Sequence, residues 1–399
     1  MSRKILHLDL DAFFCAVEEQ RDPTLHGKPF AVGGKPNERG VVASCSYAAR
    51  KFGIHSAMPM SRAVKLCPQL VIVSSQHGRY GEVSKQVMAQ LYTLSPQVEQ
   101  LSIDEAFLDV SDLQEPAETL AHQLQTTIRN ELGLPCSIGV AANKLVAKIA
   151  NNIGKASARP AAGDTPNAVN VVPPGQESAF LAPLPVKELW GVGPKMAAKL
   201  EAMGLKTIGD VAAWPDTDLE RRFGKHGRDI ARRAKGIDTR PVETEHDTKS
   251  VSQETTFAKD ISDEDKLKQT LRKLSEQVGY RLRKAELSGT TVRLKIRWAD
   301  FTTHTRQVTL PNPTNLDKEI YTAIEKLFEN VWPPGKRVRL LGVGVSNFET
   351  PARQLGLWEE AGHQTDQKLQ DALDEIRGKF GKKAVQRGSQ LGPENEFSG

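Results

Sequence analysis

The sequence predicts an α+β protein with several domains, and three observations carry this prediction. At roughly 150 residues per domain, a chain of 399 residues is long enough for two to three domains with separate cores. Apolar residues make up 39% of the chain and charged residues 26%, a balance that is typical of soluble globular proteins and excludes a fibrous or disordered chain. Helix-like and strand-like segments are mixed, and a proline-rich stretch and a polar stretch divide them into blocks.

The first block is predicted to form a sheet backed by helices. Residues 4–11 alternate as a strand, with Leu6, Leu8 and Leu10 on one face. Residues 12–76 mix short helical and strand-like pieces between glycines. The following segments read as helix, paired strands, helix, strand and helix, over about 79–94, 98–110, 117–132, 135–141 and 143–153. This order is close to a split βαβ arrangement.

The rest of the chain is predicted to contain a helical block, a second α+β block and a tail. Six prolines mark residues 159–185 as a boundary or an irregular connection. Helices with glycine breaks are predicted over 186–236, and a polar segment over 239–248 links them to the second block. The strands predicted in that block are 250–257, 290–298, 305–310 and 337–346, and a last helix is predicted over 359–387.

Positive charge is concentrated in the middle and later parts of the chain. The formal net charge is only +5, but residues 221–240 carry eight basic and two acidic side chains, and residues 272–306 carry nine basic and three acidic ones. These clusters favour a polyanionic partner. For either cluster alone, a solvated helical face is an equally good interpretation.

Two further features concern the compartment. No stretch approaches the roughly 20 apolar residues of a membrane span, and Asp9 and Asp11 interrupt the N-terminal apolar run, so neither a membrane segment nor a signal peptide is expected. The cysteines are too few and too widely spaced for a disulfide framework, which predicts free thiols in a reducing cytosol. They are Cys15, Cys45, Cys67 and Cys136.

Two acidic motifs are candidates for a metal site. Asp9 and Asp11 end the first predicted strand; we interpret Asp11 as the N-cap of the next helix, and Asp9 as either strand punctuation or a functional carboxylate. Asp104 and Glu105 lie between apolar runs that alternate as strands, where a divalent cation such as Mg²⁺ would offset their repulsion. Ser102-x-x-Glu105 also fits a capping box at a helix start. Spacing alone does not place Asp9 beside Asp104.

A third motif lies within residues 43–53 and combines a hydroxyl, a phenol and a guanidinium. On a helical start, Ser44, Tyr47 and Arg50 would share a face and could bind a triphosphate, the arginine through a forked contact. A helix with a solvated basic end is the alternative interpretation of this motif on its own.

A fourth motif, within residues 189–200, predicts a tight turn between two helices. Gly191, Gly193 and Lys195 belong to a Gly-Val-Gly-Pro-Lys sequence that an apolar helix follows. Such a hairpin exposes backbone N–H groups at a helix N-terminus, and these groups bind a DNA phosphate without reading bases. A plain turn between helices is the alternative, and the basic cluster at 221–240 favours DNA binding.

Together these motifs resemble the Y family of DNA polymerases, and most closely its bacterial DNA polymerase IV group. The resemblance runs from Lys4 to about Phe348 and rests on Asp-Leu-Asp-Ala-Phe-Phe, Ser-Tyr-Ala-Ala-Arg-Lys-Phe-Gly, Ser-Ile-Asp-Glu-Ala-Phe-Leu-Asp and Gly-Val-Gly-Pro. It implies a ferredoxin-like palm, small fingers, a helix-hairpin-helix thumb and an α+β little finger. The implied ranges are 1–11 and 77–165 for the palm, 12–76 for the fingers, 166–236 for the thumb, 237–248 for a linker, 249–348 for the little finger and 349–399 for a tail.

The resemblance also implies a metal site. Asp9, Asp104 and Glu105 would be the catalytic carboxylates and would bind two Mg²⁺ ions, which Mn²⁺ could replace. The Leu10 carbonyl would be a further oxygen ligand.

Nucleotide contacts are implied in the same way. Phe14 would be a steric gate, a ring that collides with the 2′-hydroxyl of a ribonucleotide, and Phe13 would line the same site. The triphosphate contacts would be Ser44, Tyr47, Arg50 and Lys155. The sequence after Lys155 departs from the family pattern, so Arg159 could share its role.

Residues 353–358, Arg-Gln-Leu-Gly-Leu-Trp, resemble the peptide by which such polymerases dock on the sliding clamp. Gln354 would be the polar anchor, and Leu357 and Trp358 suit a hydrophobic pocket. A Leu/Trp pair in a core is the alternative interpretation.

The activity that the resemblance implies is template-directed addition of deoxynucleotides to a primer 3′-end, with low fidelity, lesion bypass and no proofreading exonuclease. The implied partners are primer-template DNA, a dNTP and the clamp, for a monomer in the bacterial cytoplasm without membrane association. Two alternatives stay open, another Mg²⁺-dependent nucleotidyl enzyme such as a nucleotide cyclase, and a non-catalytic DNA-binding scaffold. The predicted hairpin disfavours the first, and the intact Asp9, Asp104 and Glu105 disfavour the second.

Overall fold

The chain folds into two units, residues 1–246 and 247–399. The computed structural model describes residues 2–158, 165–245, 247–348, 360–381 and 384–385, with the backbone alone for 360–367 and 377. Each unit has a buried apolar core of its own. Within these residues, no helix combines the length and the apolar character that crossing a bilayer requires. The four cysteines are buried free thiols, as predicted.

Up to residue 158, the strands and helices of the first unit follow the order that the sequence predicts. Within 159–185, predicted to be a boundary or an irregular connection, a short strand (Val169–Val171) and a short helix (Glu177–Leu181) form. The strands are β1 Ile5–Leu10, β2 Phe30–Gly33, β3 Val42–Cys45, β4 Val71–Ser74, β5 Val98–Gln100, β6 Glu105–Asp109, β7 Cys136–Ala141 and β8 Val169–Val171. The helices are α1 Phe13–Arg21, α2 Tyr47–Arg50, α3 Met60–Leu66, α4 His77–Leu94, α5 Ala117–Leu132, α6 Lys144–Ser157, α7 Glu177–Leu181, α8 Pro194–Ala202, α9 Ile208–Ala213, α10 Asp216–Phe223 and α11 Lys225–Ala234.

The main sheet of the first unit has the strand order β5-β6-β1-β7-β8. β1 pairs antiparallel with both β6 and β7, and β8 adds to β7 in parallel. Because α4 leads into β5 and α5 leads into β7, the chain path β1-α4-β5-β6-α5-β7 is ferredoxin-like. The predicted α+β fold class with a ferredoxin-like palm is confirmed.

The two faces of this sheet pack against different helices, because side chains alternate along each strand. The leucines of β1 belong to the core beneath α4 and α5. Ile5 packs with Phe107 and the apolar side of α6 on the opposite face. His7 and Asp9 share that face by alternation, so the polar residues of β1 point toward α6.

Residues 12–76 form a smaller layer around a second sheet. β2 lies at its centre, antiparallel to β3 and parallel to β4. The Ser46 hydroxyl accepts a hydrogen bond from the Ala49 N–H at 3.2 Å and caps α2, which begins at Tyr47. The prediction that Ser44 lies on a helical start is therefore wrong, since Ser44 belongs to β3 and the cap separates it from the helix.

The second unit is an antiparallel sheet covered by helices on one face. Its strands are β9 Ser250–Ile261, β10 Gly289–Trp298, β11 Thr303–Thr314 and β12 Val338–Phe348, in the order β11-β10-β12-β9. α12 Glu264–Lys284 and α13 Asp317–Val331 bury their apolar faces against it. The four predicted strands are confirmed, and a last helix, α14 Glu360–Phe380, forms within the predicted range 359–387.

Candidate active site

The two acidic motifs meet on neighbouring strands of the main sheet. Asp9 of β1 is paired in register with Glu105, the first residue of β6. The Leu10 N–H donates to the Asp104 carbonyl at 3.0 Å, which fixes the next residue pair as well. The structure thus brings Asp9, Asp104 and Glu105 together, although 95 positions separate Asp9 from Asp104 in the chain.

The turn before β6 orients Asp104 through a residue that the sequence did not assign to the site. The Ser102 hydroxyl donates to Asp104 Oδ1 at 2.6 Å and accepts from the Glu105 N–H at 3.1 Å. Glu105 starts a strand, so the alternative of a capping box at a helix start is wrong. Serine side chains commonly satisfy backbone N–H groups in such turns, and here the same hydroxyl also holds the carboxylate.

Two lysines of α6 pair with these carboxylates. Lys155 Nζ lies 2.5 Å from Asp9 Oδ1 and 3.1 Å from Asp11 Oδ1. Lys148 Nζ lies 2.7 Å from Glu105 Oε2. α6 continues to Ser157, beyond the predicted end near 153, and this extra turn carries Lys155 to the end of β1.

The pKa values of Asp9 and Lys155 reflect the partial burial of this ion pair. Burial raises the pKa of Asp9 to about 7, Lys155 opposes this rise, and the nearby Glu105 charge reinforces it. Burial lowers the pKa of Lys155, but the charges of Asp9 and Asp11 outweigh burial, so its pKa is raised. The ammonium group therefore stays charged beside two carboxyl groups.

Asp11 does not cap α1, which corrects the sequence interpretation. Its side chain is fully buried and accepts hydrogen bonds from the Ser137 hydroxyl at 2.8 Å and from the Asn167 N–H at 3.0 Å. α1 begins after Ala12, a left-handed residue with φ of 47°, and has no side-chain cap. Asp11 instead joins the end of β1 to β7 and to the segment before β8.

The predicted steric gate lies in an aromatic stack. The Phe14 ring stacks on Tyr80 of α4, with centroids 4.1 Å apart and planes 12° apart, and the buried Phe13 ring contacts both. The Tyr80 hydroxyl donates to Glu18 Oε1 at 2.7 Å, and Glu18 is itself buried. Sequence reasoning missed Tyr80 and Glu18, because they lie 62 positions apart and neither forms a motif.

The predicted triphosphate contacts lie on β3 and α2. Ser44 is buried on β3, and the Arg50 guanidinium lies 4.5 Å from the centre of the Tyr47 ring. Burial raises the pKa of Tyr47 to about 12, and the charge of Asp11 adds to this rise. Arg50 and Lys155 act in the opposite direction, so Tyr47 senses the charged groups at the end of β1.

The predicted hairpin forms a turn before α8. Gly191 has φ of +101°, Gly193 is the N-cap of α8, and Lys195 lies in its first turn. Arg233 of α11 donates to the Trp190 carbonyl at 3.2 Å, which places a cation of the basic cluster beside the turn. The hairpin and the cluster are therefore adjacent in space.

The donor set of the acidic site suits a hard divalent cation. Asp9, Asp104, Glu105 and the Leu10 carbonyl offer only oxygen ligands, which Mg²⁺ and Mn²⁺ prefer. Among the described residues, however, no three His, Cys, Asp or Glu side chains converge as a ready metal cluster. The residues fit the ion in chemistry, while two of the three side chains are bonded to lysines. Arg159 and the clamp-like residues Gln354, Leu357 and Trp358 lie outside the described residues.

Comparison with known proteins places the chain in a family. The impB/mucB/samB family matches residues 8–152, its C-terminal domain matches 248–357, and the IMS family HHH motif matches 174–205. The DNA polymerase IV of Dehalococcoides mccartyi (strain CBDB1) is 40% identical over 390 residues, which cover 97% of each chain. The DNA polymerase IV of Listeria innocua serovar 6a is 41% identical over 351 residues, which cover 87% of this chain and 96% of that one.

Among solved structures, a Y-family DNA polymerase chimera of Dbh and Dpo4 is similar in fold. The TM-score is 0.76 at 25% identity, and the match covers 86% of this chain and 99% of that chain. The ferredoxin-like sheet, its paired acidic motifs and the helical hairpin define the class of palm-type polymerases. With relatives of this identity and coverage, the chain belongs to the Y family of DNA polymerases.

Proposed function

We propose that this chain is a template-directed DNA polymerase that adds deoxynucleotides to a primer 3′-end. In this reaction the primer 3′-oxygen bonds to the α-phosphorus of a dNTP, the bond from that phosphorus to pyrophosphate breaks, and the hydroxyl proton leaves to solvent. The observation that carries the proposal is the pairing of Asp9 with Glu105, next to Asp104, on adjacent strands.

The carboxylates and the Leu10 carbonyl would hold two Mg²⁺ ions, which Mn²⁺ could replace. When bound, such ions lower the pKa of a coordinated hydroxyl and stabilise charge on phosphate oxygens. The protein contributes to this chemistry by holding the oxygen donors in place. Ser102 does so for Asp104, and the strand pairing does so for Asp9 and Glu105.

Nucleotide selection is proposed to depend on the aromatic stack. Phe14 would test the 2′ position of the sugar, and Tyr80 with Glu18 would hold the Phe14 ring in place. Ser44, Tyr47, Arg50 and Lys155 would bind the triphosphate. The pairing of Lys155 with Asp9 and Asp11 supports this assignment, and so does the electrostatic interaction of Tyr47 with the same groups.

DNA binding is proposed to use backbone contacts without base readout. Gly191, Gly193 and Lys195 would bind one phosphate. The face of the second unit's sheet that the helices leave uncovered also favours DNA binding. Along β10, buried apolar side chains alternate with positively charged ones. The charged residues are Arg293, Lys295 and Arg297. Affinity should therefore fall steeply with salt.

Low fidelity and lesion bypass follow from the small fingers that we assign to residues 12–76. A fit difference is worth only a few kcal/mol, so a loosely enclosed base pair is poorly discriminated. The other proposed ranges are the palm over 1–11 and 77–165, the thumb over 166–236 and the little finger over 249–348. Since β8 pairs with β7 in the main sheet, the boundary between palm and thumb moves to about residue 171. Docking on a sliding clamp through 353–358 belongs to the same proposal.

The test is extension of a primed template, undamaged and lesion-bearing, with each dNTP offered separately. Asp104→Ala should reduce extension by roughly 1,000-fold, because cation stabilisation of the transition state is worth several kcal/mol. Asp112→Ala, which removes an exposed carboxylate after the far end of β6, is the matched control.

Three results would contradict the proposal. Equal extension by the wild type and Asp104→Ala would mean that the acidic pair does not carry the reaction. DNA binding without any extension would favour the scaffold alternative, and template-independent turnover of a nucleotide would favour the cyclase alternative.

A further inference from the structure

Two lysines on α6 lie beside the oxygens that the proposed function assigns to divalent cations. Lys148 and Lys155 differ by seven positions, which places them two turns apart on one face of the helix. Lys148 Nζ lies 2.7 Å from Glu105 Oε2, and Lys155 Nζ lies 2.5 Å from Asp9 Oδ1. Each ammonium group therefore contacts a carboxylate oxygen that a divalent cation would need as a ligand.

Burial explains why the lysines are needed there. The exposed fractions of the side chains are 16% and 26% for Lys148 and Glu105, and 18% and 17% for Lys155 and Asp9. A carboxylate without a counter-charge is strongly destabilised in such surroundings. In the absence of another cation, the two ammonium groups supply the counter-charge.

The two lysines differ in how firmly they are held. Lys148 Nζ also lies 3.3 Å from His7 Nε2, and the buried His7 is fixed by the Asn151 amide at 2.9 Å from Nδ1. The Trp190 ring lies 5.8 Å from the same ammonium. Lys148 is thus anchored from several sides.

Lys155 is placed to move. It lies in the last turn of α6, which ends at Ser157. The contacts described for its ammonium are with the acidic side chains Asp9 and Asp11, and it interacts electrostatically with Tyr47 of the fingers. A phosphate group that approaches Tyr47 would compete with these carboxylates for the same ammonium.

We propose that Lys155 is an exchangeable counter-cation. In the nucleotide-free enzyme it neutralises Asp9, and on nucleotide arrival it transfers to the triphosphate and frees the Asp9 oxygen for a divalent cation. This inference rests on the proposed function. Because ammonium and metal compete for one oxygen, Lys155 lowers the metal affinity of the free enzyme, and by linkage it couples metal binding to nucleotide binding.

The experiment measures two affinities that should change in opposite directions. Mn²⁺ binding to the nucleotide-free full chain is followed by electron paramagnetic resonance, and the KM for dNTP is measured in primer extension. Lys155→Met should bind Mn²⁺ about tenfold more tightly than the wild type, within the usual range of such couplings. The same substitution should raise the KM for dNTP about tenfold, because the triphosphate loses a cationic partner.

The controls separate exchange from a structural role. Lys155→Arg keeps the charge and should restore weak Mn²⁺ binding and a low KM, whereas Lys155→Gln repeats the loss of charge should the methionine variant fail to fold. Asp9→Asn should weaken Mn²⁺ binding in every background.

The outcomes also separate this inference from the proposed function. Unchanged or weaker Mn²⁺ binding by Lys155→Met and Lys155→Gln, with binding still dependent on Asp9, would overturn the exchange and leave the metal site standing. An unchanged KM for dNTP would overturn the transfer to the triphosphate. Mn²⁺ binding that ignores Asp9→Asn would remove the metal site itself.

Discussion

At the scale of single residues, contacts with neighbouring side chains hold the Phe14 ring in place. Tyr80 stacks on it at 4.1 Å, and the Glu18–Tyr80 hydrogen bond fixes the stack. A ring fixed in this way cannot yield to an extra hydroxyl without strain, and overpacking costs about 1–3 kcal/mol. Phe14→Ala should therefore raise the use of ribonucleotides relative to dNTP by about 10- to 100-fold.

Competition assays with paired rNTP and dNTP on a primed template measure this ratio. Phe14→Tyr, which keeps the ring, is the matched control and should continue to reject ribonucleotides. If Phe14→Ala still rejected ribonucleotides as well as the wild type does, Phe14 would not be the steric gate.

Candidate residues can be picked out from sequence where a motif is short and local. Phe14 and the pair Asp104-Glu105 are candidates of this kind, and the roles proposed for them stay predictions. Asp11 was misassigned because its partner Ser137 lies 126 positions away, and the local pattern of a strand followed by a helix favoured a cap. Tyr80 and Lys148 give no signal in the sequence, since their contacts with Phe14 and Glu105 arise only when α4 and α6 pack onto the sheet.

At the scale of elements, the hairpin before α8 contains two glycines, Gly191 and Gly193, that differ in backbone conformation. Gly191 has φ of +101°, which an L-residue adopts only at a cost of about 1–3 kcal/mol. Gly193 has an ordinary φ of −80°, and a Cβ there would meet no atom within 4 Å. Gly191→Ala should therefore destabilise the fold, whereas Gly193→Ala should leave the free energy of unfolding unchanged.

DNA binding should respond differently from stability in these two variants. If a phosphate approaches the turn, the Gly193→Ala methyl group obstructs it, and affinity for primer-template DNA should fall about tenfold at low salt. Fluorescence anisotropy over a salt series measures the effect beside thermal unfolding. Wild-type affinity in Gly193→Ala would remove the turn from the DNA interface.

The N-terminus of α13 carries a pH-dependent group. Asp317 is buried, and its Oδ1 atom lies 3.0 Å from Arg283 Nη1. Burial raises the pKa of Asp317 to about 6; Arg283 opposes the rise, and the charges of Glu276 and Asp374 add to it. Because the folded pKa is above the ordinary value of 3.8, the stability that this group contributes is complete below that value and is lost as the pH rises through about 6.

Asp317→Asn removes this titration. The free energy of unfolding of the variant, relative to that of the wild type, should rise by about 1–3 kcal/mol as the pH rises from about 4 to about 7. Denaturant unfolding over this pH range measures the difference. Asp265→Asn, at an exposed position in the first turn of α12, should show no such trend. A difference between Asp317→Asn and the wild type that stays constant with pH would contradict the assignment.

Elements were more predictable than their contacts. Alternation located β10 because that strand has one buried face, and it located β1 because leucines fill one face and His7 and Asp9 lie on the other, although both faces are covered. The length of α6 was underestimated, since its last turn is polar and is stabilised by the pairing of Lys155 with Asp9, a contact that no helical periodicity encodes.

At the scale of the whole molecule, the segment after α11 is bonded to the first unit. Arg3 donates to the carbonyls of Asp238 and Arg240 at 3.0 and 2.9 Å. Glu99 Oε2 accepts the Glu243 N–H at 2.8 Å, next to the buried ammonium of Lys144. The sequence predicts a polar linker over 237–248, but composition cannot indicate that residues 238–243 of this segment form hydrogen bonds with the rest of the first unit.

The ion pair of Lys144 and Glu99 organises this attachment. The two side chains are only 4% and 6% exposed, and Lys144 also donates to the Pro241 carbonyl at 3.0 Å. Removing one partner of a buried pair costs about 3–5 kcal/mol, because the other charge stays buried. Lys144→Met should therefore lower the free energy of unfolding by about that amount and accelerate hydrogen exchange at the amides of Val242 and Glu243. Lys266→Met, at an exposed lysine of the second unit, should change neither quantity. Slow exchange at Val242 and Glu243 in Lys144→Met would mean that the segment is held in place without the ammonium of Lys144.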